Sequence, residues 1–473
     1  MNTNRNVIPE KVATIHLIAV CGTGMAALAA MLKDLGYSVS GSDQNVYPPM
    51  SDFLAQKGIA VASGFGPANL SHRPDLVVVG NAVSKDNPEV AAMLADGLCF
   101  CSMPQALNHF VAAGKKPIVI TGTHGKTTTA ALAAWLLFKA GLDPSFMIGG
   151  ILKNFASNYR LGKGAHIVIE GDEYDTAFFD KGPKFRHYRP HLGVLTSVEF
   201  DHADIFRDLA HVKEVFRQMA ARMPEEGTLI AYDDDPNVRE VLAQAGSAVE
   251  FYGRRPDSLW RLQAERIEPP LTAFDVLKGG VRFASLRTPM VGRHNLLNAL
   301  ATIAVADHLE IPPAVLGEAL ESFQGVRRRQ EIRGQKNGVT VMDDFAHHPT
   351  AVRETIAAVR PFFPAGRLIA VFEPRTNTSM RAVFQDVYPM CFEAADLVCI
   401  RRPPLLKKIP EGQRFSSEKL VEDLNRRGKA AHFFPETDAI IDFLAQEARD
   451  GDVVLVMSNG GFDNIHERLL KKL

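Results

Sequence analysis

Short apolar runs recur along this chain, each followed by a glycine-rich or polar break. Residues 15–20, 76–80, 117–120, 165–169, 192–197, 339–344, 368–372, 396–400 and 452–457 are such runs. At four to six residues, dominated by Val, Ile and Leu, they read as strands buried on both faces, the pattern of parallel sheets covered by helices. Residues 88–95, 130–137 and 295–308 read as helices between them, and another follows the first run to Leu35, with Gly36 as its stop. The predicted class is α/β. Residues 112–117 and 323–329 read as joints and divide the chain into three α/β parts: 1–113, 114–324 and 325–473. In such sheets ligands bind beyond the carboxyl ends of the strands, so chemistry is sought where each run stops.

The run at 117–120 empties into Thr121-Gly122-Thr123-His124-Gly125-Lys126-Thr127-Thr128 and then a helix. A strand, a glycine-bounded loop and a helix N-terminus aim backbone N–H groups at one point, which makes an anion site. Lys126 adds a positive charge suited to the outer phosphates, and the Thr127 hydroxyl suits the Mg2+ that accompanies ATP. Only two residues separate Gly122 from Gly125, a shorter gap than the G-x-x-x-x-G-K-[ST] pattern allows. ATP is the expected ligand.

A second glycine loop, Gly22-Thr23-Gly24-Met25-Ala26-Ala27, follows the first strand, and Ser42-Asp43 ends the next. The form G-x-G-x-x-A with a carboxylate about twenty residues on suits a ribose and a pair of phosphates. A nicotinamide dinucleotide and the diphosphate of a UDP-sugar both satisfy it. An oxidoreductase would use this loop but leaves Lys126 unexplained; an ATPase acting on a partner explains Lys126 but not Asp43.

Other strand ends hold the remaining candidates. Residues 165–169 run into Glu170-Gly171-Asp172-Glu173, and 192–197 run toward Glu199-Phe200-Asp201-His202. Both strands are expected beside the phosphate-loop strand, with Glu173 and Thr127 on one metal and His202 on a second. Asn295 and Asn298, three apart on a helix, present both amides on one face, suited to adenine. Arg327, at the second joint, is a candidate for reaching a phosphate, and Asp343 ends a strand.

Composition narrows the partners. A net charge of −1 argues against nucleic-acid and anionic-membrane roles, which usually need a basic excess. The apolar run at 15–20 is too short for a signal peptide, and no run approaches a membrane span. Five scattered cysteines, with Cys99 and Cys101 at no metal-ligand spacing, suggest reduced thiols in a cytoplasmic enzyme.

Taken in order, these motifs resemble the Mur ligases, ATP-dependent amide-forming enzymes of cell-wall synthesis: the N-terminal glycine loop, G-T-H-G-K-T-T, E-x-D-E, D-H, G-R-H-N-x-x-N, R-R and D-D-x-A-H-H-P. The resemblance spans the chain. It implies an N-terminal Rossmann-like domain for UDP, a central P-loop ATPase domain with a mostly parallel sheet, and a C-terminal Rossmann-like domain for the amine. It places Gly22, Thr23, Gly24, Met25, Ser42 and Asp43 at the UDP-sugar. Gly122, Thr123, His124, Gly125, Lys126, Thr127 and Thr128 fall at the phosphates, Asn295 and Asn298 at adenine, and Asp343 near the ribose. Lys126, Glu173 and His202 are the implied catalytic group, the last two with Thr127 as metal ligands.

Two members of this family take UDP-N-acetylmuramate. One adds L-alanine; the other adds the tripeptide L-alanyl-γ-D-glutamyl-meso-diaminopimelate. Runs 45–51, 172–181, 199–206 and 373–378 are similar to the second, and Tyr174 stands where the first typically has Ser. Arg375 and Asn377 are the expected peptide contacts. Ser197 stands where the family often has Asn and Phe345 where it often has Tyr, so no metal-shell contact is assigned to the one and no polar role to the other.

Overall fold

The computed structural model describes residues 5–47 and 50–473; Pro48 and Pro49, within the run 45–51, lie outside the described residues. Among the described residues the predicted alternation is present as three large sheets with helices between their strands, beside one two-stranded ribbon. Among the described residues no helix is long and apolar enough to cross a membrane.

The N-terminal sheet has five parallel strands in the order Ala60–Ser63, Ser38–Asp43, Thr14–Ile18, Leu76–Val79, Phe100–Ser102. The order reverses beside Thr14–Ile18, and the glycine loop leaves that strand's carboxyl end, where a doubly wound sheet opens a ligand crevice. The strand is shorter than expected because Ala19 turns left-handed at φ 64°. Ala19 and Val20 then donate their N–H groups to the Ser42 carbonyl. A methyl group on Gly41 would come within 2.7 Å of Val20, so only glycine lets the loop fold back here.

A buried carboxylate ties this sheet together. Glu89, fully buried at the start of helix Pro88–Ala95, lies 2.7 Å from His16 Nε2 and accepts from Ser42 Oγ at 2.8 Å. It also accepts from Asn69 Nδ2 at 2.7 Å and from the Gly66 N–H at 3.2 Å. Burial alone would raise its pKa, but His16, Asn69 and Ser42 hold it below its ordinary value.

In the middle segment, strand Lys116–Thr121 lies between Leu192–Leu195 and His166–Gly171, parallel to both, as expected. Thr228–Tyr232 and Ala248–Gly253 extend one side in parallel. Ser145–Leu152 extends the other and turns back as Ser157–Arg160. The C-terminal sheet runs Glu331–Lys336, Val339–Asp344, Val453–Met457, Leu368–Phe372, Leu397–Arg401, Ala430–Phe434, parallel except for the first pair. Its alternate residues feed two cores, one around Phe372, Tyr388 and Phe415, the other around Val371, Phe462 and Leu469.

Packing groups the chain differently from its linear order. Residues 1–198, 210–260 and 301–319 form one compact unit, and 199–209, 261–300 and 320–473 form a second.

Replacing Glu89 by Ala leaves the buried His16 Nε2 and Ser42 hydroxyl without their shared partner, a loss of roughly 3–5 kcal/mol. The expected outcome is a markedly earlier urea transition, followed by far-UV circular dichroism; an unshifted midpoint would show the network to be dispensable.

Candidate functional site

The phosphate loop is built by glycines and by two residues from the neighbouring strand. Gly122 adopts φ 122°, and a Cβ there would sit 2.2 Å from Thr196 Oγ1; Gly125, at φ 81°, caps helix Lys126–Lys139. Strand Leu192–Leu195 stops early because Thr196 and Ser197 turn to hold the loop. Thr196 Oγ1 donates to the Thr121 carbonyl at 3.0 Å, Thr123 N–H donates to the Ser197 carbonyl at 3.0 Å, and His124 N–H donates to Ser197 Oγ at 2.9 Å. Ser197 thus shapes the loop.

Lys126 Nζ lies 2.9 Å from Glu173 Oε2 and also bonds the Gly122 carbonyl. Burial disfavours its charge, but Glu173, Asp172 and Glu170 outweigh that and hold its pKa above the usual lysine value. Asp172 pairs with Lys184 at 2.7 Å, and Lys184 also donates to the Tyr174 hydroxyl at 3.1 Å. Thr127, expected to share a metal with Glu173, has Glu170 as its side-chain partner. Thr127 Oγ1 donates to Glu170 Oε2 at 3.1 Å, and Gly149 N–H donates to Glu170 Oε1 at 2.6 Å. The cause is register: Glu170 pairs with Ile120 on the adjacent strand, one residue short of Thr121 and the loop, whereas Glu173 lies beyond the strand's end. Burial and then Asp172 push the Glu170 pKa up.

At the N-terminal loop, Gly22 caps helix Thr23–Asp34 in an extended conformation, and Met25 is buried beneath the first turn. Asp43 accepts from Cys21 N–H and Asn45 N–H, each at 2.9 Å, so it clamps the loop it was expected to serve. Ser42, expected at the sugar nucleotide, has a fully buried side chain whose hydroxyl donates to Glu89. Strand alternation turns it away from the crevice.

The remaining candidates lie in the second unit. Asp201 is buried, accepts from the His202 N–H at 2.7 Å and faces His347; these histidines and His348 drive its pKa well below normal against the opposing effect of burial. His202 takes a left-handed φ of 52°. Asn298 Nδ2 donates to Asn295 Oδ1 at 3.3 Å, so the two amides share a face as expected. Asn295 also donates to the Val291 carbonyl and to Gln330. Arg327 is exposed. Asp343, expected near the ribose, is buried between Arg328, Arg333 and His466. Arg375 is half-exposed, 3.6 Å from Glu373, and lies over Gly460, where a Cβ would come within 2.2 Å of Arg375 Cδ. The exposed Asn377 donates one amide N–H to Asp204 at 2.8 Å.

Three family descriptions match in chain order: "Mur ligase family, catalytic domain" at 14–115, "Mur ligase middle domain" at 120–306 and "Mur ligase, glutamate ligase domain" at 328–460. A UDP-N-acetylmuramate–L-alanyl-γ-D-glutamyl-meso-2,6-diaminoheptandioate ligase from Escherichia coli is 41% identical over 461 residues, 97% of this chain and 98% of that protein. This chain belongs to the Mur ligase family. It is an ATP-dependent ligase that forms C–N bonds. A UDP-N-acetylmuramate–L-alanine ligase from Clostridium botulinum is 31% identical over 460 residues, 97% of this chain and 98% of that protein. The crystal structure of a murein peptide ligase from Psychrobacter arcticus superposes with a TM-score of 0.72 at 34% identity, over 97% of this chain and 98% of that one.

The first carboxylate of the ligase's E-x-D-E run faces Thr127. If Glu170 is the metal partner, Glu170→Gln raises the Mg2+ concentration for half-maximal activity at least tenfold. Glu173→Gln, acting through Lys126, raises the KM for ATP without that shift. The opposite pattern in Mg2+ titrations would return the metal to Glu173.

Burial pushes the His294 pKa down to about 4, with Glu354 pulling the other way. The unfolded chain takes up this proton near pH 6.5, about where free histidine titrates, whereas the folded one does not. The contribution is therefore whole above pH 6.5 and lost as pH falls toward 4. At pH 4.5 the loss is roughly 2–3 kcal/mol. Urea midpoints at pH 7 and 4.5 should converge in His294→Gln relative to the parent ligase.

Proposed function

We propose that this Mur ligase joins UDP-N-acetylmuramate to the tripeptide L-alanyl-γ-D-glutamyl-meso-diaminopimelate, the recycling reaction of the cell wall. The observation behind this choice is the higher identity, along the whole chain, to the tripeptide-adding relative than to the alanine-adding ones. The sugar nucleotide is assigned to residues 1–113, ATP to 114–324 and the amine to 325–473.

A carboxylate is a poor acyl donor. The lactyl carboxylate of the muramate sugar attacks the γ-phosphorus of ATP, forming an acyl phosphate and releasing ADP. The tripeptide's α-amino nitrogen then attacks the acyl carbon, and the tetrahedral intermediate collapses to the amide with loss of inorganic phosphate. Lys126 stabilises charge on the transferred phosphoryl group while the loop N–H groups orient it. An α-amino group has a pKa of about 7.7–8.0, so a useful fraction is neutral near pH 7 and no dedicated base is assigned. Water exclusion protects the acyl phosphate from hydrolysis.

Thr127 Oγ1 and Glu170 Oε2, 3.1 Å apart, are hard oxygen donors of the type Mg2+ favours. Bound there, Mg2+ would offset the negative charge of the β- and γ-phosphates. A histidine nitrogen is a softer donor, and no step is assigned to a second ion at His202. Arg375 suits a peptide carboxylate, because its guanidinium is half-exposed and Gly460 leaves it room. ATP and a nucleotide sugar as substrates, with free cysteines, suit a cytoplasmic enzyme.

The test is a phosphate-release assay with UDP-N-acetylmuramate, ATP and either amine. The tripeptide is expected to give a kcat/KM at least a hundredfold above that of L-alanine. An equal or higher value for L-alanine would assign the enzyme to de novo synthesis instead.

A further inference from the structure

The hairpin formed by Ser145–Leu152 and Ser157–Arg160 touches both ends of the first half-reaction. Asn158, only 7% exposed, donates from Nδ2 to the Thr23 carbonyl at 3.2 Å, in the first turn of the helix behind the N-terminal glycine loop. Its neighbour Tyr159, also 7% exposed, donates its hydroxyl to Asp34 Oδ2 at 2.9 Å, at the last residue of the same helix. Lys57 joins that end by pairing with Asp34 at 3.0 Å. Between these contacts Met147 packs against Gly24, where a Cβ would stand 3.6 Å from Met147 Cε. On the other side, Gly149 N–H holds Glu170 Oε1 at 2.6 Å, and Glu170 in turn meets Thr127.

We propose that hairpin 145–160 registers the sugar-nucleotide loop against the ATP phosphate site, with Asn158 as the positioning residue. The inference rests on reading the Gly22–Met25 loop as the sugar-nucleotide site. The chemistry gives the contact its importance: the muramate carboxylate must meet the γ-phosphorus in line, and these two substrates are held by different sheets. A bond from one sheet's edge to the first turn of the other sheet's loop helix sets that distance. Misplacement by about 1 Å can cost roughly a hundredfold in rate. Asn158 touches the loop backbone and acts through it, whereas Tyr159 anchors the far end of the helix, where Lys57 already holds Asp34.

The experiment compares Asn158→Leu, Tyr159→Phe and Gly24→Val in the full-length enzyme, with steady-state kinetics, calorimetric binding of UDP-N-acetylmuramate and thermal unfolding. Losing the buried hydrogen bond should raise the KM for UDP-N-acetylmuramate about tenfold in Asn158→Leu. Its kcat should fall about tenfold at saturating substrates, while the KM for ATP stays within about twofold and the Tm holds. Tyr159→Phe should change each constant by less than about threefold, since Lys57 keeps Asp34 in place. An unchanged kcat in Asn158→Leu overturns the registering role. A fall in Tm with equal losses of both substrate affinities marks Asn158 as structural and overturns it as well. If Asn158→Leu behaves like the parent while Gly24→Val no longer binds UDP-N-acetylmuramate, the hairpin proposal fails and the loop assignment stands. Normal binding by Gly24→Val removes the loop assignment itself.

Discussion

The pairing of Lys126 with Glu173 is the interaction on which the ATP end of the molecule depends. Lys126 is surrounded by Glu173, Asp172 and Glu170, with Lys184 as the further cation. In a low-dielectric pocket such charges are tolerated only because each has a partner at hydrogen-bonding distance. The same crowding pushes Glu170 toward its protonated form, and a divalent cation would relieve it. A loop that gathers negative phosphates must carry positive charge, and carboxylates that prefer a cation keep that charge ordered.

The N-terminal glycine loop depends on hydrogen bonds rather than on ion pairs. Ser42 and Asp43 sit side by side on one strand and divide the task by strand alternation: Ser42 turns inward to Glu89, and Asp43 holds Cys21 and Asn45. Glu89 therefore acts on the loop at one remove, through the strand that frames it. The C-terminal segment repeats the arrangement, with Arg328 donating to the Ser458 and Gly460 carbonyls and so fixing the loop over which Arg375 lies.

The α/β class, the buried strands and the phosphate loop were legible in the sequence because each rests on local patterning. Apolar runs four to six residues long can hardly be anything but covered parallel strands when helical stretches separate them. The glycines at 122 and 125 announce their role because their φ angles exclude side chains. The expectation that the strands at 165–169 and 192–197 flank the phosphate-loop strand held for the same reason.

Side-chain partners were beyond the reach of a linear reading. By itself the sequence determined which residue types gather at the strand ends, the order of the three parts, and the family likeness. Only the tertiary structure decided that Glu170 rather than Glu173 meets Thr127, that Ser42 and Asp343 are themselves buried against partners, and that Asn158 reaches the Thr23 carbonyl. The physical reason is that backbone propensity acts over a few residues, whereas the partner of a buried charge is chosen by strand register and sheet order. Thr127 and Glu170 are 43 residues apart in the chain, and Asn158 and Thr23 are 135 apart. No local pattern encodes contacts at those separations.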